Sequence, residues 1–172
     1  GIGAYTMTFM DNGSPRTALG HWVTVIDYDG VAGDGSSHTV TVTYPNNGPT
    51  KNLEFVRTRD AYSAYYELWD DNIPQPIDPG TYNGTYTYRV TDPDPTGVPG
   101  VATDDLTVHT IDPPDGISWA PFDNTTPTFT WNSVADANNY RVRIYDSNGN
   151  RIYQGYTSSA SHKIPPGVLD PD

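Results

Sequence analysis

The chain contains no cysteine and only two glutamates and two lysines among its 172 residues. Without cysteine it has neither disulfides nor the thiolate ligands of structural zinc sites. Its hydrophobic runs are short and interrupted, so none predicts a membrane-spanning helix. The seven arginines are scattered and the formal net charge is −12, so the sequence also lacks a basic surface for phosphates. We therefore expect neither membrane insertion nor nucleic-acid binding.

Aspartate, glycine, proline and tyrosine are abundant instead. The chain has 19 aspartates, 16 glycines, 16 prolines and 13 tyrosines. Aspartate, glycine and proline belong in turns, whereas tyrosine, threonine and valine favour strands. This composition predicts an all-β protein of short antiparallel strands, with enough residues for two small β-sandwiches.

The first predicted sandwich covers residues 1–110. Residues 5–9, 39–44 and 82–90 alternate between larger apolar or aromatic and small or polar side chains, and about seven such strands are expected in all. That number of strands suits an immunoglobulin-like sandwich. The matching segments resemble immunoglobulin-like repeats of large bacterial surface proteins: residues 22–30, 80–82 and 88–94.

The second predicted sandwich covers residues 111–172 and begins with a stiff segment that contains Pro113 and Pro114. Its strands are expected near residues 126–131, 139–145, 151–156 and 159–164. Trp131, the pattern Tyr140-x-Val-x-Ile144 and the stretch 164–171 resemble bacterial fibronectin type III-like repeats. The resemblance implies that Trp131 is a core residue. It also implies that this second sandwich lacks its last strands.

Two loops of the first sandwich are rich in aspartate. The immunoglobulin-like strand order brings them to the same end of the sandwich, and hard oxygen ligands there suit Ca²⁺. The alternative is that these aspartates are solvated turn residues. The predicted calcium ligands are Asp27, Asp29, Asp34, Asp92 and Asp94.

Residues 61–69 predict a strand with aromatic side chains on both faces. If Tyr62, Ala64, Tyr66 and Leu68 face the core, then Tyr65 and Trp69 face outward, beside Asp70 and Asp71. Outward aromatic rings near carboxylates can bind carbohydrate. The alternative is that they cover the sheet as ordinary strand residues.

Catalytic motifs are missing from the sequence. The four histidines occur singly, and there is neither a Gly-x-Ser-x-Gly motif nor a phosphate-binding glycine loop. We therefore predict a protein that is not an enzyme.

The leading hypothesis is a structural or adhesive segment of a larger secreted or cell-surface bacterial protein. It would act as a spacer or interaction module, with other domains of the same or neighbouring chains as partners. A second hypothesis is an extracellular filament subunit in which residues 1–10 add a strand to another subunit. A third is a carbohydrate-binding accessory module of a polysaccharide-degrading enzyme.

Overall fold

The protein is almost entirely β-structure. A computed structural model describes residues 1–11, 14–26, 38–92, 99–120 and 125–169. It is 57% strand and 3% helix, and its sheets are antiparallel, so the predicted all-β fold class is confirmed. Among the described residues no helix has the length and apolar character needed to cross a membrane. The chain divides into two compact units, Gly1–Thr110 and Ile111–Asp172.

The described part of the first unit contains eight strands in two four-stranded sheets, with a short helix between β6 and β7. One sheet, called the first sheet below, has the order β1-β2-β6-β5, and the other has the order β4-β3-β7-β8. The elements are β1 Ile2–Asp11, β2 Ser14–Ile26, β3 Thr39–Thr43, β4 Thr50–Asn52, β5 Glu54–Asp60, β6 Ser63–Asp70, α1 Pro79–Tyr82, β7 Gly84–Thr91 and β8 Gly100–Leu106.

A hydrophobic core lies between these two sheets. Alternate residues of β2, such as Val23 and Val25, pack in one cluster with Val42 of β3 and with Tyr86 and Tyr88 of β7. Because side chains of a strand alternate between its faces, the intervening residues of β2 point away from this core. The first unit therefore has an inner apolar face and a separate outer face on each sheet.

The predicted number of strands in the first unit was one too low. A single strand was expected around residues 52–56, but the chain leaves one sheet and enters the other at Leu53. Leu53 is buried, and its backbone N–H donates to the carbonyl oxygen of Val40 at 2.8 Å. The apolar side chain and this hydrogen bond hold the crossing point against the core, so β4 and β5 are separate strands.

The N-terminal strand forms a long hairpin with β2. Their register runs through ten residue pairs, from Ile2 opposite Val23 to Asp11 opposite Ser14. On the side of β1 away from β2, the backbone N–H of Ala4 donates to Oδ2 of Asp104 in β8 at 2.8 Å. One hypothesis assigned residues 1–10 to strand exchange, but residues 2–10 are paired with β2 of their own unit.

The second unit contains five short strands in two small sheets. One sheet has the order β13-β10-β9 and the other is the hairpin β11-β12. The elements are β9 Ser118–Ala120, β10 Thr128–Thr130, β11 Tyr140–Tyr145, β12 Arg151–Thr157 and β13 Ser161–Lys163.

Burial is sparse in the second unit. Among its described residues, Ile164 is the one hydrophobic side chain in the buried class apart from Pro127. Trp131, predicted to be a core residue, is partly buried and packs edge-on against Tyr140 at 5.2 Å between ring centroids. Larger apolar side chains such as Tyr156, at 60% exposure, remain accessible. The apolar faces of this unit are therefore only partly covered.

Candidate functional site

Besides Tyr65, the described part of the first sheet carries four large aromatic side chains on its outer face. Tyr5 of β1 lies opposite Gly20 of β2, which in turn lies opposite Trp69 of β6. Directly opposite residues of antiparallel strands share a face, so Tyr5 and Trp69 lie on the same side of the sheet. By the same register, Phe9 and Trp22 also lie on this side. We call Tyr5, Phe9, Trp22 and Trp69 the aromatic face.

Glycines in the neighbouring strands allow two of these rings to lie down on the sheet. A Cβ atom on Gly20 would fall inside the ring of Tyr5, and one on Gly3 would collide with the indole of Trp22. The same indole also covers Gly1, two residues earlier in the chain. The two rings therefore cover backbone that has no side chain of its own, and both remain partly exposed.

Trp69 packs against Tyr5 and Phe9, and these three rings form a layer over β2. The ring centroid of Trp69 lies 6.5 Å from that of Tyr5 and 6.0 Å from that of Phe9, both at tilted angles. These separations are typical of favourable aromatic pairs, each worth about 1 kcal/mol beyond the area it buries. Gly20 and Ala18 are buried although they belong to the outer side of β2, which shows how closely this layer covers the strand.

Charged groups border the aromatic face. The hydroxyl of Tyr5 donates to Oε1 of Glu67 at 3.3 Å, and Glu67 lies directly opposite Glu54 of β5. At the end of the face near Tyr65, the guanidinium groups of Arg57 and Arg59 lie 5.7 and 5.0 Å from that ring's centroid. Both carboxylate acceptors and guanidinium donors are therefore next to the rings.

The structure places both predicted carbohydrate-binding residues, Tyr65 and Trp69, on this outer side. Their roles differ, because the ring of Tyr65 is engaged by two guanidinium groups whereas Trp69 belongs to the aromatic layer. On the opposite side, Ala64 and Tyr66 are buried as predicted. Tyr62 is not, because it lies in the turn before β6 and is 55% exposed.

Asp70 does not lie beside Trp69, contrary to prediction. It is the last residue of β6 and points inward, where its Oδ2 accepts hydrogen bonds from the Tyr44 hydroxyl and the Lys51 ammonium group, each at 2.6 Å. Alternation within the strand explains this result, since adjacent residues face opposite sides. The carboxylate next to the aromatic layer is Glu67 instead.

Sequence reasoning missed Tyr5, Phe9 and Trp22 as members of this face. Their alternation was visible, but the pairing of β1 with β2 and β2 with β6 was not. The available signal was a pair of strand glycines, Gly3 and Gly20, because glycine inside a strand often marks a place where another group approaches the backbone.

A polar network lies inside the first unit, behind the aromatic face. His21 of β2 is fully buried, and its Nδ1 is 3.0 Å from the hydroxyl oxygen of Tyr88. Its ring also packs against Tyr44 and Tyr86, with centroids 5.3 and 5.0 Å away. Burial lowers the pKa of His21 from 6.5 to about 4, although the Asp70 carboxylate acts in the opposite direction. We therefore describe His21 as a neutral core residue.

The tyrosines around His21 are held in their neutral form. Burial raises the pKa of Tyr44 above its ordinary value, and its hydrogen bond to Asp70 raises it further. Burial likewise raises the pKa of Tyr86 and Tyr88. Because the interior disfavours charge on all of these rings, the tyrosines take part in the network as neutral hydroxyls, and Tyr44 donates to the Asp70 carboxylate.

The predicted calcium site is mostly outside the described residues. Asp27, Asp29, Asp34 and Asp94 lie outside them, and only Asp92 has a described position, directly after β7. Asp92 lines a cavity of about 470 Å³ at the end of the two sheets, together with Gly1, His38 and Val101. Within the described ranges no three acidic or histidine side chains converge as a metal site would require. The calcium site stays a prediction.

Comparison with known proteins does not identify this chain. No protein-family profile, curated protein or solved structure matches it. Any functional assignment must therefore be argued from the strand order of the two units and from the chemistry of the aromatic face.

Proposed function

We propose that this chain is a non-catalytic structural or adhesive segment of a larger secreted or cell-surface protein. The observation that carries the proposal is the tandem arrangement of two all-β units. Lettering the strands of the first unit A to G in chain order, with β4 as C′, makes its sheets A-B-E-D and C′-C-F-G. This order supports an immunoglobulin-like domain.

The strand order of the second unit supports a partial fibronectin type III-like domain. With the strand letters of a fibronectin type III domain, A, B, C, C′ and E, its five described strands form the sheets E-B-A and C-C′. In the first unit, strands F and G are β7 and β8, which contribute Tyr86, Tyr88 and Leu106 to the core. The sparse burial of the second unit is consistent with a domain that packs against further protein structure. Its partners are accordingly other domains of the same or a neighbouring chain.

Solution measurements test the spacer role against the filament hypothesis. Size-exclusion chromatography with multi-angle light scattering should give a monomer, because β1 is already paired with β2 over ten residue pairs. Concentration-dependent oligomers that vanish when residues 1–11 are deleted would favour strand exchange instead.

Carbohydrate binding is a second candidate, and the aromatic face favours it. Rings that lie down on a sheet can stack against the apolar faces of sugar rings, while neighbouring charged groups bind hydroxyls. Affinity gel electrophoresis against soluble β-glucan, xylan, mannan and polygalacturonate provides the test. We expect retention by at least one polymer and its loss in Trp69→Ala. Trp119→Ala is the control, because Trp119 is a half-exposed tryptophan of the second unit.

Calcium binding by the aspartate-rich loops remains part of the proposal. Carboxylates that converge at one end of the first unit would require a cation to offset their repulsion. Isothermal titration of chelator-treated protein with Ca²⁺ should give heat and a higher melting temperature, and Asp27→Asn with Asp92→Asn should abolish both. The absence of both effects in the unmodified protein would exclude the calcium site.

A further inference from the structure

We infer that the aromatic face binds an extended, uncharged glycan chain along the direction of β2, rather than a single terminal sugar. This inference rests on the proposed carbohydrate binding and specifies its ligand. Three features of the aromatic face support it: the order of the four rings along the strands, the charges beside them and the flatness of the ring layer.

The four rings follow one another along the strand direction. Trp22 lies level with Gly3, Tyr5 and Trp69 lie level with Gly20, and Phe9 lies level with Arg16. From Trp22 to Arg16 the backbone advances by six positions, which at about 3.4 Å per residue is roughly 20 Å. The ring of Phe9 extends back to within 6.0 Å of Trp69, so the rings themselves span somewhat less. The row is still longer than one sugar ring, so a ligand that contacts both ends must contain several linked sugars.

The charges next to Trp22 and Tyr5 disfavour an anionic glycan. The guanidinium groups of Arg57 and Arg59 lie against Tyr65, outside the aromatic face, and that of Arg16 is paired with Asp11. Glu54 and Glu67 lie directly opposite each other on the outer side of the sheet, next to Trp22 and Tyr5. Like charges in this position repel each other, and a ligand carboxylate would add to the repulsion. Hydroxyl groups would instead donate hydrogen bonds to both carboxylates. The net charge of −12 also repels an anionic ligand at longer range.

The flatness of the face favours sugar rings over a protein partner. Protein interfaces concentrate their binding energy in anchor side chains that enter pockets. Here the rings of Tyr5 and Trp22 lie against glycine backbone, so they fill the hollows that an anchor would need. A ligand made of flat apolar rings with peripheral hydroxyls matches this surface better.

A chain-length series tests the inference. Oligosaccharides from disaccharide to hexasaccharide, cut from whichever polymer the full chain retains, are titrated calorimetrically. We expect affinity to rise steadily with length until the chain spans the face. Trp22→Leu and Phe9→Leu, at the two ends, should each weaken hexasaccharide binding by roughly 3- to 10-fold and should leave trisaccharide binding less affected.

Three outcomes separate this inference from the proposal on which it rests. Equal affinity for all lengths, or strongest retention by polygalacturonate, would overturn the extended neutral chain and leave carbohydrate binding in place. Retention by none of the polymers would remove both. Trp22→Leu uncovers Gly3, so the melting curves of Trp22→Leu and Phe9→Leu are compared with that of Trp119→Leu to detect a loss of stability. Glu67→Gln is a further variant that should weaken binding without removing a ring.

Discussion

The clearest quantitative prediction concerns His21, whose imidazole is buried in the core of the first unit. Its pKa is about 4 in the folded protein, against 6.5 when it is exposed to water. Above pH 6.5 the ring is neutral in both states and contributes no pH dependence. Between pH 6.5 and 4 the unfolded chain binds a proton that the folded chain excludes. The first unit should therefore lose up to about 3 kcal/mol of unfolding free energy over this range.

Urea unfolding at several pH values, compared between the unmodified chain and His21→Leu, measures this loss. Replacing His21 leaves the Tyr88 hydroxyl without its partner, which lowers stability by a constant amount, so only the pH dependence of the difference is diagnostic. His109→Gln is the control, because His109 is exposed and should leave the pH dependence unchanged. An NMR titration of the unmodified chain gives an independent result. A His21 ring that titrates near 6.5 would refute the reasoning.

Three further predictions concern stability. Asp70→Asn should lower the free energy of unfolding by about 2 kcal/mol, because the hydrogen bonds from Tyr44 and Lys51 lose their charged acceptor while partly exposed Lys51 keeps some hydration. Urea unfolding measures this loss, and an unchanged midpoint would contradict the prediction. Gly20→Ala should lower stability by roughly 1–3 kcal/mol by displacing the ring of Tyr5, whereas Gly100→Ala, whose Cβ would only reach ordinary contact, serves as the control. In hydrogen exchange, the backbone amides of β11 should exchange much faster than those of β2, because the second unit buries so little apolar surface. Equal protection of the two strands would disprove the prediction.

Local patterns in the sequence were sufficient for the fold class and for most strands of the second unit. Alternation predicted strands over residues 139–145 and 151–156, close to the observed β11 and β12. The same rule predicted that Tyr66 is buried and that Trp69 faces outward. These properties depend on neighbouring residues of one strand, and the two-residue period of a strand fixes them.

Alternation failed where a residue's position depends on contacts distant in sequence. The sheet crossing at Leu53 depends on its hydrogen bond to Val40. The inward direction of Asp70 follows from alternation, but its partners Tyr44 and Lys51 lie 26 and 19 positions away in the chain. None of these contacts can be deduced from the residues on either side.

The sequence by itself determined an all-β protein that has no cysteine chemistry, carries a large negative charge and places aromatic residues on alternating strand faces. The tertiary structure decided which of those residues meet. Tyr5 and Trp69 are 64 positions apart in the chain, and only the pairing of β1 with β2 and β2 with β6 brings their rings to 6.5 Å. Strand pairing depends on packing contacts throughout the core, between residues that are distant in sequence. The outward direction of a ring could therefore be predicted, whereas the rings next to it could not.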